Sequence, residues 1–228
     1  MVPLVFPSAS RTSSERLDDR MPGFERNPTL YDAFCSLAER WGLGRWRGWL
    51  VRGARGPTLE VGCGTGRNFA RYAAGSRVVA IEPNAVMIRV AQRRAPRGVL
   101  LVRASAEALP FRRAHFETVV SSLVFCTVPD VRAGLAEVHR VLQPGGQLRM
   151  LEHVRSTKRW IARCQDLVAP VWSWAAGGCH PNRRTEEAVE QAGFEIVPEG
   201  RRSWGTMRRF SARAAPRALG SVSRSDRR

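Results

Sequence analysis

The sequence has almost no lysine, although it is strongly basic. Of its 37 basic residues only Lys158 is a lysine, and the formal net charge at pH 7 is +17 over 228 residues. A charge of this size is typical of proteins that meet a polyanion, either nucleic acid or an anionic membrane surface. Arginine in place of lysine is also typical of codon bias in a GC-rich genome, which would spread the charge over the whole surface. The composition leaves both interpretations open.

Long apolar runs and a secretory signal are missing as well. No stretch reaches the roughly 18 consecutive apolar residues that a membrane-spanning helix needs. The N-terminal segment MVPLVFPSASRTSSER has a short apolar patch with no basic residue before it, which makes a poor signal peptide. We therefore expect a cytoplasmic protein, with peripheral contact to a membrane surface as an alternative.

The five cysteines offer no disulfide framework. Their number is odd, they contain no CxxC pair and they follow no regular spacing, which indicates a reducing compartment. Cys179 stands next to His180, but a single pair lacks the three or four ligands that a zinc site needs. We therefore predict no metal site.

The length of the chain favours one folded domain with flexible ends. Residues 1–26 are rich in Ser, Arg and Pro and are predicted to be a disordered N-terminal extension, and 213–228 a disordered basic tail. Organised sequence begins near Met21, so the sequence does not decide whether the protein starts at Met1 or Met21. The folded domain is expected over 27–212, beginning with two helices separated at Gly42 and Gly44.

Short apolar strands alternate with helices through the rest of the chain. Strands are predicted at PTLEV, RVVAIE, GVLLVRA, ETVVSSLVF and QLRMLEHV, with two closing strands at FEIVPE and TMRRFSARA. Helices are predicted at RNFARYAA, AVMIRVAQRRA, DVRAGLAEVHRVL, 158–177 and RRTEEAVEQAGF, and Asn84 and Asp130 are suitable N-caps. This alternation predicts an α/β protein whose mostly parallel sheet is covered on both faces.

The segment TLEVGCGTGRNF, residues 58–69, is the most informative motif. A sharp glycine turn between a strand and a helix lets backbone N–H groups approach a ligand. Glu82 ends the second strand 20 residues after Gly62, where an acid can accept hydrogen bonds from ribose hydroxyls. The loop reads GxGxG and not the dinucleotide pattern GxGxxG, which argues against a nicotinamide dehydrogenase.

These motifs resemble those of the class I S-adenosylmethionine-dependent methyltransferases. EVGCGTG resembles the first motif, IEPNAVMIRVA the second, and ASAEALPF, FETVVSSLVFCTVPD and LAEVHRVLQPGGQL follow in the family's order. LEHV and GGCHPNRRTEEAVEQAGF are similar to the ubiquinone-type group and, more closely, to thiol S-methyltransferases. The resemblance implies a single Rossmann-like domain with a seven-stranded, mostly parallel sheet and an antiparallel last strand. It also implies N-terminal lid helices and a substrate-covering insertion at 155–183.

The resemblance further implies S-adenosyl-L-methionine as cofactor and assigns roles around it. The glycine loop would shape the methionine pocket, Glu82 would hold the ribose, and Ala106 would offer its backbone N–H to the adenine. Ser105 stands where the family usually has Asp, which puts full cofactor affinity in doubt. The implied cofactor residues are Tyr31, Glu60, Gly62, Gly64, Gly66, Glu82, Ser105, Ala106, Ser121 and Ser122.

Methyl transfer from a sulfonium needs an aligned nucleophile and a dry site, and a base only for acceptors that hold their proton firmly. His153, at the end of the fifth strand, and His180, in GGCHPN, are the candidate catalytic residues. Thiols and phenols or quinols need little help to lose a proton. We therefore expect a small, lipophilic acceptor of such a class.

Two other functions stay open. One is a methyltransferase that acts on nucleic acid or associates with another polyanion, but SSLVFC stands where base-amine methyltransferases carry D/N-P-P-Y/F. We therefore expect no specific nucleic-acid partner. The other is a cofactor-binding regulator at a membrane surface that no longer catalyses. The sequence identifies neither the acceptor nor the oligomeric state.

Overall fold

The computed structural model describes residues Leu4–Val5 and 27–215. The predicted N-terminal extension, 1–26, lies outside the described residues except for Leu4–Val5. The predicted tail, 213–228, is described only as far as residue 215, where the last strand runs two residues beyond the expected domain end.

The described elements follow the predicted alternation. The strands are β1 Leu4–Val5, β2 Thr58–Val61, β3 Val78–Ile81, β4 Val99–Val102, β5 Phe116–Ser122, β6 Leu142–His153, β7 Phe194–Trp204 and β8 Met207–Ala214. The helices are α1 Pro28–Ala38, α2 Gly44–Arg52, α3 Ala85–Arg94, α4 Val131–Val141, α5 Arg159–Ala175 and α6 Thr185–Gln191. A π-helical turn, Glu39–Leu43, joins α1 to α2.

The strands form one sheet in the order β1-β4-β3-β2-β5-β6-β8-β7. The strands from β1 to β6 pair in parallel, whereas β8 is antiparallel to both β6 and β7. The predicted seven-stranded, mostly parallel sheet with an antiparallel last strand is confirmed. The two-residue β1, which the sequence did not predict, adds to the β4 edge.

The helices cover both faces of this sheet. Val119 of β5 belongs to the cluster that contains Leu135 of α4, while the next residue, Val120, belongs to the cluster that contains Leu50 of α2. Successive strand residues point to opposite faces, so α4 and α2 lie on opposite sides of β5. Both predicted N-caps are confirmed: Asn84 Oδ1 accepts from Val86 N, and Asp130 Oδ1 accepts from Ala133 N.

The helix predicted at RNFARYAA is wrong. Only a 3₁₀ turn, Phe69–Arg71, forms there. The chain is held by side-chain contacts of Asn68 and Tyr72 to Glu60, described below, and these fix an irregular path in place of a regular helix. The predicted break between the first two helices is confirmed, because Gly42 adopts a φ of 122° that continuous helix does not allow.

Within the described residues, no helix combines the length and the apolar character needed to cross a bilayer.

Candidate active site

The glycine loop after β2 adopts a backbone that requires glycine. Gly62, Gly64 and Gly66 have φ values of 64°, 56° and 81°, in the left-handed region. A Cβ on Gly62 would lie only 2.5 Å from Cγ2 of Val124, in the loop that follows β5. The first glycine therefore allows close contact between two loops at the carboxyl edge of the sheet.

The second glycine lies beneath Tyr31 of the N-terminal helix. A Cβ on Gly64 would meet nothing closer than the Tyr31 hydroxyl, at 3.7 Å. Helix α1 is anchored there by Asp32, whose Oδ1 accepts from the Thr65 hydroxyl at 2.7 Å and from Arg67 Nη1 at 3.1 Å. These contacts place Tyr31 over the glycine loop, and its role as a lid residue stays a prediction.

Glu82 lies at the end of β3 with its carboxylate turned toward the glycine loop. Its Oε2 accepts from Gly64 N at 2.9 Å and its Oε1 from Asn84 N at 3.0 Å. Burial raises the pKa of Glu82, and the two backbone N–H groups oppose that rise. Each carboxylate oxygen accepts one protein hydrogen bond in these contacts and has a further lone pair, so the group can also accept from two hydroxyls.

Glu60 is buried in the interior of the domain. The side chain is 1% exposed, and its two oxygens accept from Asn68 Nδ2 and the Tyr72 hydroxyl, both at 2.9 Å. Burial raises the pKa of Glu60 to about 7, with these hydrogen bonds and the charge of Arg47 acting in the opposite direction. Glu60 therefore supports the glycine loop from behind.

Arg47 of α2 connects the N-terminal helices to this support. Its buried Nη1 donates to Asn68 Oδ1 and to Ser122 Oγ, each at 3.0 Å, and its guanidinium forms an ion pair with Glu39. One side chain thus links α2, the glycine loop and the end of β5. No sequence pattern marks Arg47, because one arginine among many carries no signal of its own.

The remaining predicted cofactor residues lie at the same edge of the sheet. Ser105 and Ala106 are in the turn after β4, where Ala106 is buried and Ser105 partly buried. The hydroxyls of Ser121 and Ser122 are already used, by Glu152 and Arg47 respectively. The carbonyl roles predicted for these two serines stay predictions.

Glu152, at the end of β6, organises the loop after β5. It is fully buried, and Oε1 accepts from Ser121 Oγ at 3.0 Å and from Val124 N and Phe125 N at 3.1 Å, while Oε2 accepts from Cys126 N at 3.2 Å. Burial raises the pKa of Glu152, against these four hydrogen bonds. The carboxylate acts as an anchor that fixes the loop backbone.

The next residue, His153, meets two cysteines. Its Nδ1 lies 3.5 Å from Cys179 Sγ, and the ligand atoms of Cys126, His153 and Cys179 all lie within 4.8 Å of one another. The pKa of the Cys179 thiol is lowered by a hydrogen bond from Cys126 and by His153, whereas that of Cys126 is raised. Within the described residues this is the one group of three His, Cys, Asp or Glu side chains with metal-ligand proximity.

His180 follows Cys179 in the sequence, but it contacts the cluster through its backbone and not through its ring. Its backbone N donates to Cys126 O at 2.7 Å, and its ring is not part of the three-residue cluster. Burial and the nearby Arg183 lower the pKa of His180. The structure therefore brings the ring of His153, and not that of His180, to Cys126 and Cys179, and no sequence pattern marked Cys126 as a functional residue.

A cavity of about 490 Å³ lies near the end of β6, and its lining includes Val154, the residue after His153. Arginines dominate its lining, and Glu186 in it is paired with Arg201 and Arg208. The lining residues include Val154, Arg155, Arg163, Arg183, Thr185, Glu186 and Arg208. This polar lining gives no support to a purely lipophilic ligand there.

An open, mostly parallel sheet with a glycine loop after one strand and a carboxylate after the next defines a nucleoside-binding protein of the Rossmann-like class. Residues 59–169 match the model of a family described as "Methyltransferase domain". The matched segment covers just under half of the chain, and over it the resemblance stated from the motifs is confirmed.

Named relatives agree with this assignment. The thiol S-methyltransferase TMT1A of Homo sapiens is 36% identical over 143 residues, which cover 60% of this chain and 59% of that protein. A demethylmenaquinone methyltransferase of Renibacterium salmoninarum is 33% identical over 155 residues, 65% of each chain. The chain thus spans about three fifths of the length of the thiol S-methyltransferases it matches.

Solved structures support the fold. A SAM-dependent methyltransferase from Thermotoga maritima aligns with a TM-score of 0.64 at 20% identity, covering 84% of this chain and 97% of that one. An S-adenosylmethionine-dependent methyltransferase from Mesorhizobium loti aligns with a TM-score of 0.57 at 19% identity, covering 74% and 96%.

The family and the fold imply S-adenosyl-L-methionine as cofactor, and the residues at the loop fit it. Gly64 presents bare backbone at the loop, where an added Cβ would contact the Tyr31 hydroxyl at 3.7 Å. The buried Glu82 carboxylate keeps acceptor capacity for a diol, and Gly64 N–H ties it to the loop. When bound, the cofactor supplies an electrophilic methyl group on a sulfonium.

Proposed function

We propose that this protein is an S-adenosylmethionine-dependent methyltransferase that acts on a small-molecule acceptor, with a thiol as the favoured class. The observation that carries the proposal is the hydrogen bond from Gly64 N to Glu82 Oε2 at 2.9 Å. This hydrogen bond joins the glycine loop to Glu82, the carboxylate predicted to bind the ribose. Both lie at the carboxyl edge of the sheet, where open α/β proteins bind their ligands.

The protein's own residues position and enclose the reactants. Tyr31 and the helix behind it cover the glycine loop, and the Asp32 contacts to Thr65 and Arg67 hold that cover in place. A closed site of this kind keeps water away while an acceptor lines up with the methyl carbon and the sulfonium sulfur. In this proposal His153, which lies beside Cys179, serves the acceptor side of the site and can hold a proton or a ligand.

The thiol class is favoured by relatives named as thiol S-methyltransferases. Quinol-type acceptors are the second choice, supported by relatives named as quinone-pathway methyltransferases. The arginine-lined cavity suggests an acceptor with a polar or anionic end. A screen with labelled cofactor over matched thiols, phenols and alcohols tests the class, and labelling confined to alcohols would contradict it.

Cofactor binding is tested first, with Glu82→Gln. The amide keeps the shape of the side chain but loses one acceptor and the charge, so binding of S-adenosylmethionine should weaken by about 1.5–3 kcal/mol. Isothermal titration calorimetry on the full chain measures the change.

Glu195→Gln, at an exposed carboxylate on β7, is the matched control and should bind like the unmodified protein. An absence of heat with the unmodified, folded protein would contradict the proposed function itself. Equal affinities of Glu82→Gln and Glu195→Gln would contradict only the role of Glu82.

We also propose that α5 docks on an anionic membrane surface. Trp160, Leu167, Val171 and Trp174 recur at helical spacing along α5 and are 68–81% exposed. Lys158 and Arg159, at the start of this helix, are exposed too. An exposed apolar stripe beside basic residues is typical of an interfacial helix, and the net charge of +17 is complementary to an anionic surface.

A further inference from the structure

Three potential ligands meet where the loop after β5, the end of β6 and the segment after α5 come together. Cys126 and Cys179 are buried and His153 is partly buried. The separation of Cys179 Sγ and His153 Nδ1 is 3.5 Å. Two ligands of a tetrahedral zinc ion, at about 2.3 Å for sulfur and 2.0–2.1 Å for nitrogen, lie about 3.6 Å apart. The observed separation therefore suits two ligands of one ion.

The backbone around these ligands is already fixed. Glu152 Oε2 accepts from Cys126 N, and Cys126 O accepts from His180 N at 2.7 Å. Arg183 Nη1 donates to Phe125 O at 2.7 Å and to Val128 O at 2.6 Å, on either side of Cys126. Because these outer contacts already hold the ligands in place, little conformational entropy is lost when an ion binds.

The cluster also adjoins the proposed cofactor site. The Glu152 carboxylate accepts hydrogen bonds from Ser121 Oγ and from Cys126 N. One side chain therefore connects Ser121, a predicted cofactor residue, to a ligand of the cluster. Val124, in the same loop, fills the space in front of Gly62. The loop after β5 therefore carries one of the three ligands and also contacts the glycine loop.

We propose that Cys126, His153 and Cys179 bind a single zinc-class ion and that its fourth position takes the sulfur of the methyl acceptor. Two thiolates and one imidazole are a donor set that soft and borderline divalent ions prefer, and three protein ligands leave one position open, as in catalytic zinc sites. This inference rests on the proposed methyltransferase function and names the substrate class for it.

The chemistry balances without any redox partner. On binding the ion, an acceptor thiol loses its proton to solvent, because a coordinating thiol is deprotonated outright. The sulfur lone pair then forms the new bond to the methyl carbon while the sulfonium carbon–sulfur bond breaks, and that electron pair stays on the leaving thioether sulfur. The product is itself a thioether, a neutral and weaker ligand, and so it can leave.

The test uses Co²⁺ as the probe, on the full chain kept reduced and stripped of metal with a chelator. We expect one Co²⁺ per chain, with thiolate-to-cobalt charge-transfer bands and the visible bands of a tetrahedral ion, and Zn²⁺ should bleach both. Cys126→Ser, Cys179→Ser and His153→Ala should each weaken Co²⁺ binding by about 100-fold or more, beyond the roughly 10–100-fold effect of losing an outer-shell partner.

Cys164→Ser is the matched control, because Cys164 is an exposed thiol on α5 outside the cluster. This variant should bind Co²⁺ like the unmodified protein. Absence of thiolate bands in the unmodified protein, or an equal loss in Cys164→Ser, would overturn the proposal. A Cys126–Cys179 disulfide that persists in reduced glutathione would also overturn it and assign the pair to redox chemistry.

The open position is tested with a small aliphatic thiol and its alcohol analogue. The thiol should add charge-transfer intensity to the Co²⁺ spectrum and the alcohol should not; identical spectra would refute the acceptor role. Calorimetry with S-adenosylmethionine on the same samples separates the two proposals. Cofactor binding without metal binding overturns the metal site alone, whereas no cofactor binding overturns the proposed function.

Discussion

At the scale of single residues, three carboxylates are buried at the carboxyl edge of the sheet, and each does something different. Glu82 faces the ligand side of the glycine loop, Glu60 supports the loop from behind, and Glu152 anchors the neighbouring loop. Burial raises the pKa of all three. The sequence pattern pointed to Glu60 and Glu82 because they flank the glycine motif, and the role predicted for Glu60 in shaping the methionine pocket stays a prediction.

Glu60 should make stability depend on pH. Its pKa is about 7 in the folded protein and near 4.5 in the unfolded chain, so between these values the folded state holds more protons. Stability from this group is therefore complete below pH 4.5 and is lost as the pH rises through 7, by up to roughly 3 kcal/mol. Glu60→Gln removes the titration, so its stability relative to the unmodified protein should improve between pH 5 and pH 8.

Urea unfolding at a series of pH values measures this difference. Glu195→Gln, at an exposed position, serves as the control and should show no such trend. A stability difference between Glu60→Gln and the unmodified protein that stays constant across the range would show that Glu60 does not titrate as its burial implies.

At the scale of elements, the order and type of strands and helices could be predicted almost completely. Alternating apolar strands and capped helices carry local signals, as the contacts of Asn84 and Asp130 show. The helix at RNFARYAA failed because long-range contacts decide that segment. Asn68 and Tyr72 bind Glu60, and no local pattern reports such contacts.

The glycine loop and Glu82 could be predicted for the same reason, whereas the cluster of Cys126, His153 and Cys179 could not. The glycine loop and Glu82 follow two strands, β2 and β3, that are consecutive in the sequence and pair in parallel. Cys126, His153 and Cys179 come from three separate segments, so only the folded chain brings them together. No sequence pattern predicts the backbone conformation of Leu123 either. It adopts a φ of 60° at the end of β5, where a non-glycine residue is strained, next to the loop that carries Cys126.

The contact between the glycine loop and the loop after β5 can be tested as a unit. Gly62→Ala places a Cβ 2.5 Å from Val124 Cγ2 and puts alanine at a φ of 64°, which together should cost about 2–4 kcal/mol. Val124→Ala removes the clashing methyl groups, so the double variant should be more stable than the sum of the single effects predicts.

A double-mutant cycle from thermal or urea unfolding measures this coupling, which should be about 1–2 kcal/mol. Val86→Ala, at an exposed site on α3, replaces Val124→Ala in the control cycle. Additive effects in the Gly62 and Val124 cycle would mean that backbone strain alone, and not contact between the loops, explains the glycine.

At the scale of the whole molecule, the charge and the exposed apolar surface are best considered together. Most of the arginines that carry a structural role are in ion pairs, such as Arg67 and Arg94 with Asp32. The 37 basic residues outnumber the 20 acidic ones by 17, so there are too few acidic side chains to pair with every basic one. A charge excess alone would suit any polyanion, but the exposed stripe on α5 adds an apolar component that nucleic acid does not need and a membrane interface does.

The two components predict a specific binding pattern. The full chain should sediment with vesicles that contain phosphatidylserine and much less with pure phosphatidylcholine, and binding should fall as salt is raised because exposed charges are screened. Leu167→Ser with Trp174→Ser removes apolar contact without changing charge, so it should weaken binding about tenfold or more. Val86→Ser, an exposed apolar change on α3, should leave binding unchanged. If the α5 variant sediments like the unmodified protein while salt still releases both, charge alone holds the chain to the surface, and α5 is not the docking helix.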